Sequence, residues 1–282
     1  MYDDPLVSII IPTRNAASTL EACLRSIQSQ SYQNVEIIIV DNYSSDETRN
    51  AARMFKARII IGGPRPPNND FFTAPIQRRI GAEHASGGYI FFVDADMVLE
   101  EGLLEDCVER CLRGADAIII PEISFGEGFW SRCKIAERSC YLGDDRMQAS
   151  RFIRRAVYYS IGGWREDVGG LDDWEITAKL RGLGFKSARS NKRIFHNEGH
   201  LTLRKIFLKK FNIGKGAHPM KYLLSGKMEV DTIASQLTPF RILILLAMLP
   251  RLDTDIVEIL GVALMKVIEG VGFFMGLLLS KH

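Results

Sequence analysis

The stretch Gly87-Gly88-Tyr89-Ile90-Phe91-Phe92-Val93-Asp94-Ala95-Asp96 limits what this chain can fold into more than any other. Its apolar run has strand length, leaves a Gly-Gly turn and shows no polar alternation. That is the pattern of a strand buried on both faces of a parallel sheet. The run ends on two carboxylates, at the strand end where open α/β sheets bind ligands. From the bend after the strand, Asp94 and Asp96 can reach one cation together. Hard divalent cations such as Mg or Mn take oxygen ligands of this kind and often bridge to substrate phosphates. A strand that merely closes in a polar turn has the same residues, so Asp-Ala-Asp alone leaves both readings open.

The surrounding chain alternates strand and helix signals. Leu6 to Pro12 is a strand, Thr13-Arg14-Asn15 a loop, and Ser18 a candidate N-cap for a helix with Leu20, Cys23, Leu24 and Ile27 on one face. Val35 to Val40 is a second strand ending on Asp41, followed by a polar turn, Asn42 to Thr48, and another helix. Arg58 to Ile61 is a third strand. Gly62 to Pro75 reads as a loop, Pro75 to Ala85 and Leu103 to Leu112 as helices, and Ala117 to Ile120 as a strand. Gly126 to Ser150 reads as a helix plus loop, and Phe152 to Arg155 as a short strand or helix entry. Asp172-Asp173-Trp174-Glu175 opens a helix that stops at Gly184. This alternation predicts an α/β fold with a largely parallel sheet and right-handed crossovers. Successive strands carry polar residues just past the same end, which packing alone does not require.

Composition narrows the classes. The net charge of +2 gives no argument for a nucleic-acid partner. Five cysteines, none in a CxxC pair, form no zinc pattern and read as small apolar residues, pointing weakly to a reducing compartment. The opening Met-Tyr-Asp-Asp-Pro carries no secretory signal.

Taken in order, several short pieces resemble the family-two inverting glycosyltransferases, whose catalytic domain has the GT-A fold. They are Ile10 to Asn15, Val40 to Asp46, Arg78 to Gly81, Ala85 to Ile90 and Asp94 to Asp96, then Ile161 to Trp164, Asp172-Asp173, Leu180 to Gly184 and Phe195-His196. The resemblance covers Val7 to about His196. It implies a nucleotide-sugar donor with Pro12, Thr13, Arg14 and Asn15 around base and ribose, and Asp41 accepting hydrogen bonds from the base. Arg78 or Arg79 would lie on phosphate, although a solvated helix charge is the commoner role. Asp94 and Asp96 would hold Mn or Mg against the diphosphate, with Ala95 between them against the nucleotide sugar; a Lewis acid assists departure of the diphosphate. Some polyprenyl-phosphate sugar synthases add a Gln two residues after the second Asp. Val98 stands there and cannot ligate, so His196 is the candidate third ligand.

By the same resemblance, Asp173 is the base that deprotonates the acceptor hydroxyl, kept ionised by the helix N-terminus. Asp172 replaces the family's Glu beside it, although acidic residues also simply cap helices. Trp164 is either a platform for a sugar face or part of the core.

Past Gly199 the style changes, which divides the chain into a catalytic domain over 1–200 and a C-terminal all-α module over 201–282. Leu203 to Phe211 interleaves apolar and basic residues, as in helices lying on anionic membranes, and Lys215, His218, Lys221 and Lys227 continue that character. Phe240 to Pro250 is apolar but too short to span. Ile256 to Leu279 reaches the ~20 residues needed to span. Glu258, Lys266 and Glu269 lie on one side of it with Gly272 and Gly276. A membrane-associated module with membrane lipid as partner follows, with the catalytic domain on the cytoplasmic side of the cell membrane. Packing on the soluble domain, or dimerisation, is the alternative.

These readings lead to transfer of a hexose to a membrane lipid-linked, polyprenyl-type acceptor, with GDP-mannose the first donor and a UDP-sugar the second. Transfer to polyprenyl phosphate itself is disfavoured by Val98. A non-catalytic membrane-docking module is disfavoured by the full set Asp41, Asp94, Asp96 and Asp173. A nucleotidyltransferase is disfavoured because Pro12 to Asn15 is not a Gly-rich phosphate loop.

Overall fold

The computed structural model describes residues 4–63, 73–145, 148–164, 172–216, 248–249 and 254–279. In chain order the first elements are β1 (Val7–Thr13), α1 (Ala17–Gln28), β2 (Val35–Asp41), α2 (Thr48–Met54), β3 (Arg58–Ile61), α3 (Thr73–Glu83) and β4 (Tyr89–Phe92). Then come β5 (Met97–Leu99), α4 (Leu103–Leu112), β6 (Ala117–Ile119), β7 (Glu122–Glu127), α5 (Phe129–Ser139), β8 (Ser150–Arg154) and α6 (Arg155–Ser160). The last are α7 (Asp172–Gly182), β9 (Ser187–Arg189), β10 (Ile194–His200), α8 (Leu203–Gly216) and α9 (Ile256–Leu278).

The main sheet has the order β3-β2-β1-β4-β8-β6-β9. Among its described strands only β8 runs against its neighbours, so the sheet is largely parallel, as the alternating pattern predicts. β4 is buried along its whole length between β1 and β8. Its side chains divide by the two-residue period of a strand. Tyr89 and Phe91 pack with Leu20, Leu24 and Leu104 on one face. Ile90 and Phe92 pack with Ile10, Tyr158 and Leu180 on the other. Each such burial contributes roughly 1.5–3 kcal/mol, so both cores converge on the strand that leads into Asp94.

Helix α3 lies hard against the sheet, because Gly81 leaves no side chain where a Cβ would strike Ile10. This close approach brings Gln77 and Arg78 over the strand ends. Gly87 is equally constrained: a Cβ there would stand 2.5 Å from the Leu6 carbonyl oxygen.

A second, three-stranded sheet, β5-β10-β7, caps the rim. β10 pairs antiparallel with β5, setting His196 opposite Met97, and parallel with β7. The expected helix plus loop of Gly126 to Ser150 contains α5, but the strand before it, β7, is unanticipated. Its two apolar residues, Ile123 and Phe125, are separated by Ser124, so it lacks the continuous apolar run that announces a strand.

Ser18 does not cap α1. The helix begins at Ala17, and its first free amides are met from the next turn, Ala16 N by Thr48 Oγ1 at 2.8 Å and Ala17 N by Asp46 Oδ2 at 3.1 Å.

Helices α8 and α9 pack on each other, and α9 packs on α5, around a cluster that includes Cys133, Ile206, Val262 and Met265. None of the described helices is long and apolar enough to cross a membrane, since α9 carries Glu258, Lys266 and Glu269. The apolar run Phe240 to Pro250 lies outside the described residues except for Met248 and Leu249, as do His218, Lys221 and Lys227.

Candidate active site

The ends of β1, β2 and β4 form one rim, and α3 ties it together. Gln77 Nε2 donates to the Thr13 carbonyl at 2.9 Å and to the Val40 carbonyl at 2.6 Å. The end of β1 and the loop after it, Pro12, Thr13, Arg14 and Asn15, are stitched to the turn after β2. Asn15 N donates to Ser44 Oγ, and Ser45 N donates to Asn15 Oδ1, both at 2.9 Å. Asn15 takes φ +48°, a conformation Asn tolerates better than most residues.

Asp41 sits at the foot of this double turn with no exposure. Its carboxylate accepts from Thr13 Oγ1 at 3.2 Å, Ser44 Oγ at 2.5 Å and Ser44 N at 3.0 Å. Asp41 thus ties the end of β1 to the turn after β2, at the rim where a nucleotide base is expected. The neighbouring Asn42 is also fully buried, and its side-chain amide has no hydrogen-bond partner.

Asp94 and Asp96 stand in different surroundings. Arg78 Nη2 lies 2.6 Å from Asp94 Oδ1, and Arg151 Nη1 lies 3.3 Å from Oδ2. Burial works against ionisation of Asp94, but the two guanidiniums outweigh it and hold the carboxyl well below the usual range. Arg78 is 4% exposed, lies 4.9 Å over the Trp164 ring and is paired with Asp94. Arg79 points outward, 3.7 Å from Glu83.

Asp96 is the freer carboxylate. Its Oδ2 lies 3.3 Å from His196 Nε2, while its Oδ1 is buried with no hydrogen-bond partner among the described residues. On the other side of the imidazole, Nδ1 lies 3.6 Å from Glu122 Oε2 and 3.2 Å from Arg138 Nη1. Burial opposes a charge on His196, yet hydrogen bonds to Asp96 and Glu122 raise its pKa to about 9. Glu122 is held well below the usual carboxylate range: Arg151, His196 and Arg138 prevail over its burial. Arg138 also reaches Glu198 at 2.9 Å.

A divalent cation fits this arrangement in part. The orphaned oxygen of Asp96 beside His196 is a carboxylate-imidazole pair suited to Mn or Mg. Among the described residues no group of three His, Cys, Asp or Glu side chains gathers as a complete metal site. Asp94, pinned by two arginines, does not complete it, so the remaining ligands would come from outside the chain. Ala95 between the two is buried in the core beneath them.

Asp172 and Asp173 open α7, and their side chains lie outside the described residues. The course of the helix is clear. One turn on, Thr177 Oγ1 accepts from Ser150 N at 3.0 Å, and Ser150 precedes the Arg151 that grips Asp94. Ile176 and Leu180 pack into the sheet, and the chain then enters β9, parallel to β6. A helix that returns the chain to the foot of the sheet begins at the rim, so α7 opens on the side where β4 ends.

Trp164 is not an open platform. It is 2% exposed, packs edge-on against Phe92 at 5.3 Å and keeps its Nε1 buried without a partner. It walls the site from the core side and backs Arg78.

Sequence reasoning missed Gln77, Glu122, Arg138 and Arg151. Arg151 left a trace, because an arginine beside the apolar pair Phe152-Ile153 in a buried strand demands a partner.

Comparison with known proteins follows the same outline. Residues 8–165 match the profile of Glycosyl transferase family 2. A PGL/p-HBAD biosynthesis glycosyltransferase of Mycobacterium tuberculosis is 38% identical over 186 residues, 62% of this chain and 69% of that protein. A GalNAc(5)-diNAcBac-PP-undecaprenol beta-1,3-glucosyltransferase of Campylobacter jejuni is 29% identical over 120 residues, 39% of this chain and 36% of that protein. Among solved structures, the mannosyltransferase PcManGT from Pyrobaculum calidifontis, in complex with GDP-Man and Mn2+, superposes with a TM-score of 0.65. It spans 100% of this chain and 89% of its own at 16% identity, a likeness of fold.

Proposed function

The chain belongs to glycosyl transferase family 2, and on that footing we propose that it moves a hexosyl group, with inversion, from a nucleoside-diphosphate sugar to a lipid-linked glycan at a membrane. The GT-A-like fold and the family carry the transfer itself. The observation that carries the site is Asp96, one oxygen against His196 and the other buried and unpartnered, at the end of β4.

Asp96 and His196 would hold the divalent cation, with Asp94 keeping Arg78 and Arg151 beside them. When bound, the cation supplies charge neutralisation for the departing diphosphate. Asp173, opening α7, would take the proton of the acceptor hydroxyl. The new bond joins that oxygen to the anomeric carbon as the bond to the diphosphate oxygen breaks, so the nucleoside diphosphate leaves and the proton rests on Asp173. Asp172 would support that carboxylate.

GDP-mannose is the first donor we assign, in keeping with the ligand of the Pyrobaculum neighbour, and a UDP-sugar the second. A polyprenyl-linked acceptor is supported by the undecaprenol-linked substrate in the name of the Campylobacter relative. We place residues 1–200 as the catalytic domain on the cytoplasmic face of the cell membrane and 201–282 as its membrane-associated module.

The test is a thermal-shift panel of nucleoside diphosphates with and without Mn, followed by donor hydrolysis and transfer assays on wild type and Asp96→Ala. A ligand that binds the native state raises its stability by about 2.7 kcal/mol at a hundredfold excess over Kd. A GDP response that needs Mn and vanishes in Asp96→Ala supports the reading. No response to any nucleotide refutes it.

A further inference from the structure

Helix α9 has two unlike faces. Its inner face carries the polar stripe. Glu258 meets Arg132 at 2.8 Å, Lys266 meets Glu137 at 2.8 Å, and Glu269 meets Lys134 at 3.1 Å, all on α5. Farther along, a Cβ at Gly272 would come within 2.8 Å of the Phe207 carbonyl oxygen, so α9 and α8 touch backbone to backbone. The outer face is apolar: Leu260, Leu264, Val267, Val271, Phe274 and Leu278 are all exposed, between 47% and 84%. An apolar stripe running the length of a 23-residue helix needs a partner.

The spacing of these residues, four and three in alternation, would suit a second copy in a coiled coil. The flanks argue otherwise. Such pairs take their register and partner from charges beside the seam, and here those positions are Gly261, Ala263, Ile268, Gly270, Met275 and Leu277. The helix packed beside α9 is basic on its exposed side. α8 exposes Arg204, Lys205 and Lys215, with Leu208 on the same face as Arg204 and Lys215. A wide apolar face beside exposed cations complements an anionic lipid leaflet.

We propose that α9 lies in the plane of an anionic membrane, its outer face sunk in one leaflet and its inner face still bound to α5. A spanning pose would strip three ion pairs and the contact with α8, leaving Glu258, Lys266 and Glu269 in hydrocarbon. The in-plane pose breaks none of them. It also holds α5, and with it Arg138 beside His196, at a fixed height over the lipid. The inference takes from the functional reading only that the acceptor is in a membrane.

The test uses the full chain and vesicles of phosphatidylglycerol or of phosphatidylcholine. Wild type floats with the anionic vesicles and is released by salt. Val267→Glu/Phe274→Glu, on exposed positions, loses flotation while keeping its thermal midpoint. Arg204→Glu/Lys205→Glu weakens partitioning about tenfold or more. All five native cysteines are buried, so Leu260→Cys and Leu278→Cys accept a fluorophore selectively for depth-dependent quenching. These positions are about 27 Å apart along the helix, and equal shallow depths for both support the in-plane pose. Depths in opposite leaflets overturn it, as does failure of wild type to float. A dimer in light scattering that Val267→Glu/Phe274→Glu dissolves, without flotation, also overturns it. Flotation without transfer counts against the enzyme reading alone; transfer by a chain that never floats counts against the seating and the membrane-associated module, and leaves the transfer reading standing.

Discussion

Asp96 and His196 meet across the junction of the two sheets, Oδ2 to Nε2 at 3.3 Å, while the second oxygen of Asp96 stays buried with no hydrogen-bond partner. A carboxylate left half-satisfied is costly unless a ligand completes it. The pair is assembled from the bend after β4 and from β10, and it sets the first expectation.

Asp96→Asn keeps the shape of the site and removes the charge. Donor turnover is expected to fall by about a hundredfold or more, in line with the loss of one preorganised electrostatic group. Mn-dependent stabilisation by nucleoside diphosphate should vanish with it. Steady-state donor hydrolysis and a melting curve with Mn check both. Unchanged turnover would remove Asp96 from the cation site.

The Arg151 side chain is 3% exposed and joins two half-buried carboxylates, Asp94 at 3.3 Å and Glu122 at 2.7 Å. Arg151→Met leaves both with one cation fewer and is expected to destabilise the fold by about 3 kcal/mol. Arg79→Met removes an exposed helix pair with Glu83 and should change stability by less than about 0.5 kcal/mol. Urea denaturation of the two variants side by side makes the comparison.

His196 has a pKa raised to about 9 from 6.5. The folded state therefore binds its proton more tightly than the unfolded state. The stability it contributes is full below about pH 6.5 and is lost as pH rises through 9, by roughly 3 kcal/mol in all. In chelator-free buffer without divalent cations, wild-type stability should decline over that window more steeply than that of His196→Gln. Parallel curves for the two chains would exclude the imidazolium.

Gly272 faces the Phe207 carbonyl oxygen so closely that any side chain must push α8 and α9 apart. Gly272→Val is expected to cost about 1–3 kcal/mol and to expose the α8–α9 junction to limited proteolysis. Gly270, whose Cβ position is open, should accept Ala without that effect. Protease digestion of both variants, read by mass spectrometry, separates the two.

Much of this arrangement is local and could be read from the chain. An apolar run bounded by Gly-Gly and Asp-Ala-Asp is a buried parallel strand wherever it occurs, because backbone pairing and side-chain burial act over a few residues. The order of strands and helices through β4, the rim position of Asp94 and Asp96, and the one-sided polar stripe of α9 all follow from such short-range rules. Partner choice does not. Glu122 and Arg151 are 29 residues apart, and Arg138 and His196 are 58 apart. Nothing in either stretch names the other. Which groups hold Asp41 in place, whether Trp164 lies open or buried, and which way the stripe of α9 turns were decided by which elements pack together. A charge is stable only where the assembled chain supplies its counterpart, and that supply is a property of the tertiary structure.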